Sequence, residues 1–66
     1  MKLILNQDLT VQVVKLSTGE TSTKDLKGGR EYKVTKLKHN AGLVNFCLTG
    51  GLYVRKLPTK YLQGTN

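Results

Sequence analysis

Four short runs in this 66-residue chain alternate apolar and polar residues with a period of two, and polar or Gly-containing clusters separate them. A period of two puts successive side chains on opposite sides of an extended backbone, so each run reads as a half-buried β-strand. Leu9–Leu16 sets Leu9, Val11 and Val13 against Thr10 and Gln12. Glu31–Lys38 sets Tyr32 and Val34 against Glu31, Lys33 and Thr35. Leu43–Leu48 sets Val44, Phe46 and Leu48 against Leu43, Asn45 and Cys47, and Leu52–Leu57 carries Leu52 and Val54 inward.

Two of these runs lose phase. Val14 and Leu16 follow Val13 on the wrong side, and Leu37 does the same after Val34. One extra residue switches the side a strand presents, so bulges are expected near Val13-Val14 and near Thr35-Lys36. The second would return Leu37 to the core and leave Lys33, Lys36 and Lys38 outside. Between the runs, Ser17–Thr23 reads as a turn or longer loop around Gly19, and Asp25–Gly29 as another turn; Thr23–Lys27 has room for one helical turn. His39–Gly42 is a hairpin connection in which Asn40 or Gly42 suits positive φ, and Thr49-Gly50-Gly51 is a second tight turn. Pro58 lacks an N–H and stops the fourth strand, Pro58–Tyr61 suits a 3-10 turn, and Leu62 begins a short closing strand near which Lys2–Leu5 pairs. Residues 63–66 are expected to fray.

Five short strands in one 66-residue domain imply an all-β fold. A small barrel is favoured over an open sheet because closure removes exposed edges. A chain of this length buries roughly 60% of its unfolded surface, which leaves a thin core and no room for a large walled active site.

Composition removes several function classes. The single cysteine, Cys47, rules out an intramolecular disulfide, and with the single histidine, His39, it falls short of the four ligands of a structural zinc site. Asp8, Glu20, Asp25 and Glu31 are scattered without metal-ligand spacing, so neither a metal nor another cofactor is expected. Cys47 and His39 are the only nucleophile–base candidates; the thiol sits mid-strand in an apolar context, where thiols are inert, and nothing is placed to orient the imidazole. Gly28-Gly29 and Gly50-Gly51 lack the Lys-Ser/Thr of a phosphate loop. No enzyme is expected. No apolar run approaches membrane-span or signal-peptide length, so the chain reads as soluble and cytoplasmic.

Charge is the positive signal. The net charge is +7, and residues 32–66 hold six basic groups and no acid. One-signed charge on half a chain attracts an anionic partner. Lys33, Lys36 and Lys38 would line one face of a strand, with Arg55, Lys56 and Lys60 on or after the last long one; Tyr53 shares the side of Arg55, where a base could stack. These seven residues are the candidate binding site. The partner they fit best is nucleic acid, DNA or RNA; the other reading is a small regulator docking on an acidic protein. The simpler account of strand lysines is solubility and protection of a sheet edge. Self-association through edge strands is a further option.

Leu57-Pro58-Thr59-Lys60-Tyr61-Leu62 resembles the C-terminal signature of SH3-type barrels, in which a strand runs into a hydrophobic residue, Pro, two polar residues, Tyr and an aliphatic residue. Leu26–Val34 resembles the loop, Gly and strand that enter the central sheet of such barrels. The resemblance covers residues 26–62 and implies a five-stranded SH3-like barrel with a 3-10 turn near residues 58–61. It does not imply Pro-rich peptide binding, because this chain has no Trp, no ALYDY-type motif near its start, and only Glu20 and Asp25 in the corresponding loop. SH3-like barrels among ribosomal, chromatin and phage proteins bind nucleic acid or other proteins, which is what the resemblance implies here.

Overall fold

The computed structural model describes residues 1–65. The chain is all-β: β1 (Lys2–Leu5), β2 (Leu9–Lys15), β3 (Thr21–Leu26), β4 (Glu31–Asn40), β5 (Leu43–Leu48), β6 (Leu52–Pro58) and β7 (Leu62–Thr65), with a 3-10 turn at Thr59–Tyr61 between β6 and β7. All strand pairs are antiparallel, in the order β3-β2-β6-β5-β4-β1-β7. The sheet curls into a half-barrel around Leu3, Leu5, Val13, Val34, Val44, Phe46 and Val54, each no more than 2% exposed.

There are seven strands rather than five. β1 adds one, paired with β7 on one side, where the sequence suggests that Lys2–Leu5 can pair, and with β4 on the other. β3 adds the other, where a loop or helical turn was expected. Its residues are exposed except for Leu26, so it carries no alternation to read; the ladder from β2 recruits it, in unbroken register from Leu9↔Leu26 to Val14↔Thr21. That register also removes the bulge expected at Val13-Val14. Val14 stays on the outer side, half-buried, and Leu16 stands 52% exposed. The end expected to fray is strand through Thr65, held against Leu3 and Ile4 of β1; Asn66 lies outside the described residues.

Because the half-barrel does not close, β3 and β7 remain as edges. β7 is only four residues long, and β3 carries Lys24 on its core-facing row, opposite Val11. Short edge strands and inward-placed lysines both discourage pairing with another sheet.

Two bulges set the phase of the long strands. The register shifts between Thr35 and Lys38, with Lys36 at φ 53°, and Leu37 returns to pack on the core, as its spacing from Val34 predicts. A second shift, between Val44 and Phe46, sets Arg55 and Lys56 against Asn45; Lys56 has φ 58° and Leu57 is buried. At the β4–β5 hairpin the positive φ falls on Ala41 (52°) and Gly42 (79°), not on Asn40, which pairs with Leu43 as the last rung of β4.

The start of the chain is pinned where β1 leaves the sheet. Asp8 accepts a hydrogen bond from the Gly28 N–H (2.8 Å), and the Tyr32 hydroxyl accepts one from the Lys27 N–H (2.7 Å). Gly28 lies so close to Gln7 that an added Cβ would meet backbone atoms at 2.7–2.8 Å. Gly28→Ala should therefore lower stability by about 1–3 kcal/mol, read as a drop in urea midpoint at unchanged slope. Ala41→Asn should raise stability by roughly 0.5–1 kcal/mol, because Asn-Gly suits a two-residue turn with two positive φ angles; a lower melting temperature would contradict that geometry.

Candidate nucleic-acid interface

The outer side of the sheet carries a rung that crosses five strands: Thr35, Cys47, Tyr53, Val14 and Thr21 stand opposite one another from β4 to β3. Tyr53 is half-buried at its centre, with Val14 and Cys47 as its cross-strand neighbours. Cys47 is buried in this rung, while His39 lies near the far end of β4, opposite Val44.

Tyr53 is shared by two surface depressions. One, about 240 Å³, is lined by Lys36, Lys38, Cys47, Tyr53 and the exposed Leu16. The other, about 440 Å³, is lined by Gln12, Val14, Thr21, Tyr53, Arg55 and Lys56. It lies where β2 and β6 part, since their pairing covers only Val13–Lys15 against Leu52–Val54. Four of the six cations singled out from the sequence thus gather around the ring of Tyr53, the seventh candidate. Lys33 and Lys60 line neither depression. Lys33 faces Lys2 across the β1–β4 pair; Lys60 sits in the 3-10 turn, its ammonium 5.2 Å from the Tyr61 ring centre and its carbonyl accepting from the Asn6 side chain.

The bulges aim two of these cations. A residue at a bulge is turned out of the strand's regular alternation. Lys36 and Lys56 occupy the two bulges, and with Ala41 they are the residues other than glycine at positive φ among those described. That backbone region costs a side-chain-bearing residue about 1–2 kcal/mol. At Lys56 it is held by the Asn45 side chain, whose Oδ1 accepts the Lys56 N–H at 2.7 Å.

No acid lines either depression. Among the described residues the ion pairs are Lys2–Glu31 (3.1 Å) and Lys27–Asp8 (4.0 Å), which leave Lys36, Lys38, Arg55 and Lys56 without a carboxylate partner. Asp8 and Asp25 instead share a different depression with Lys27. Among those same residues no group of three His, Cys, Asp or Glu side chains is placed to hold a metal ion, and no helix is long and apolar enough to cross a membrane.

The sequence reading missed Asn45, Leu16 and Val14 as parts of this surface. The second bulge had a signal, for Val54 and Leu57 are three apart just as Val34 and Leu37 are. Leu16 had none, because its exposure follows from the unbroken β2–β3 register.

Comparison with known proteins returns no match: no family model matches the chain, and neither a curated protein nor a solved structure does.

Because Lys36 and Lys56 sit at positive φ, glycine there should be tolerated. Lys36→Gly and Lys56→Gly should each leave stability unchanged or raise it by up to about 1 kcal/mol, the relief of left-handed strain offsetting the chain entropy glycine adds. Thermal melts of both variants test this; a loss like that of Gly in an ordinary strand would contradict it.

Proposed function

We propose that this protein is a non-enzymatic SH3-like β-barrel that binds nucleic acid through Lys36, Lys38, Tyr53, Arg55 and Lys56 on the outer side of its sheet. The fold part of this reading is supported by β7-β1-β4-β5-β6, a run of five strands in which a 3-10 turn after Pro58 joins β6 to β7. On this reading the β2–β3 hairpin is an addition to a five-stranded unit.

One observation carries the functional part. Two separate bulges hold lysines in a strained backbone conformation on either side of one tyrosine, with no acid lining the depressions there. Strained residues concentrate at binding and catalytic sites. The bulges themselves serve the core by returning Leu37 and Leu57 to it; what solubility does not require is the convergence of the cations on one ring, since any exposed lysine serves it. Four unpaired cations around an aromatic ring match a polyanion that also carries flat ring faces. Phosphates would take the ammonium and guanidinium groups, and a base would lie against Tyr53. An acidic protein surface also satisfies the charges; a nucleic acid adds a flat base face for every phosphate.

Affinity for a fluorescein-labelled oligonucleotide should fall with salt with a log–log slope of roughly −3 to −4, as four phosphate contacts require. The double variant Lys36→Glu with Lys56→Glu should lose most binding at ~50 mM salt, where electrostatic contacts are strongest, and flatten the slope by about two. Both side chains are exposed, so its melting transition should persist. Absence of wild-type binding to DNA and RNA at that salt would remove the nucleic-acid reading and leave docking on an acidic protein.

A further inference from the structure

Resting on that reading, we infer that the ligand is single-stranded rather than duplex nucleic acid, with one base laid on Tyr53 and the flanking phosphates held by the cation pairs on either side. The surface around the ring is apolar as well as basic. Tyr53 stands between Val14 and Cys47 on its rung, and Leu16, 52% exposed, lines the same depression as Lys36 and Lys38. A duplex keeps its base faces inside the stack and shows phosphates and sugars outward. Against a duplex, Leu16, Val14 and the Tyr53 ring would lose water and meet only charged or polar groups, which is unfavourable.

Reading the major groove of a duplex also calls for an element narrow enough to enter it, such as a helix or a two-stranded ribbon. Tyr53 and its neighbours instead lie within the body of the sheet, on β6, β5 and β2, with depressions rather than a ridge to either side. An unstacked strand fits this relief. Its bases are free to lie on an aromatic ring and an apolar margin, while its backbone passes Lys36 and Lys38 on one side and Arg55 and Lys56 on the other. Stacking of this kind uses the π-face that every base has, so little sequence preference is expected.

The test compares four probes by fluorescence anisotropy at ~50 mM salt, where electrostatic binding is strongest: oligo-dT and oligo-U of about 15 nucleotides, near the upper site size of small ssDNA-binding folds, a duplex of equal length, and poly-glutamate. The single strands should bind at least about ten-fold tighter than the duplex or the poly-glutamate. Tyr53→Leu should weaken single-strand binding about ten-fold, whereas Tyr53→Phe should retain it, since stacking needs the ring and not the hydroxyl.

Duplex binding as tight as single-strand binding would overturn the inference while leaving the nucleic-acid reading intact. Poly-glutamate binding as tight as the oligonucleotides would overturn it in favour of an acidic protein. No binding to any nucleic acid would remove both. Should Tyr53→Leu fail to fold, the wild-type ring decides: Tyr53 proton resonances that do not move on saturation with oligo-dT overturn the stacked base.

Discussion

A β-strand has two sides, and a chain this short has few apolar residues to spend on the wrong one. Leu37 and Leu57 each follow an inward residue at a spacing of three, which would turn them to solvent in a regular strand. One extra residue in each strand returns them to the core, and Lys36 and Lys56 occupy the turned positions. Core and outer surface are therefore fixed by the same two features. Without the bulges the half-barrel would lose two of its packed leucines, and the two lysines would fall back into ordinary alternation.

The ends of the chain complete the core. Leu3 and Leu5 of β1 are fully buried, and β1 is held between β4 and β7. With one buried cysteine and no disulfide, this joining of ends falls to backbone pairing and close packing. The contact of Gly28 with the Gln7 backbone and the hydrogen bond from Gly28 to Asp8 secure the corner where β1 gives way to β2. The corner tolerates no side chain at residue 28, which ties the turn after β3 to the entry into β2.

Charge is sorted along the same lines. Asp8 and Asp25 lie together beside Lys27, and Glu31 pairs with Lys2, so local cations meet local acids at that end of the molecule. Exposed pairs of this kind add little stability. Their consequence is electrostatic: none of these three acids lines the depressions around Tyr53, and Glu20, in the turn between β2 and β3 next to Thr21, lines neither of them.

The alternation of β4, β5 and β6, the bulge after Val34, the tight turn at Thr49-Gly50-Gly51 and the 3-10 turn after Pro58 were all legible in the residues, because period, turn chemistry and the missing proline N–H act locally. The surplus of positive charge in residues 32–66 was equally legible. Tertiary structure decided the rest. Thr21–Leu26 became a strand because β2 offered it a ladder, although only Leu26 has an apolar side to bury. That pairing kept β2 in register and left Leu16 exposed. Pairing across β4, β5 and β6 likewise drew Lys36, Lys38, Arg55 and Lys56 around Tyr53, while Lys33 and Lys60 went to the side of β1 and to the 3-10 turn. Local order determines which residues can face outward; which of them become neighbours depends on hydrogen bonds between segments far apart in the chain, and these leave no mark on the order of residues.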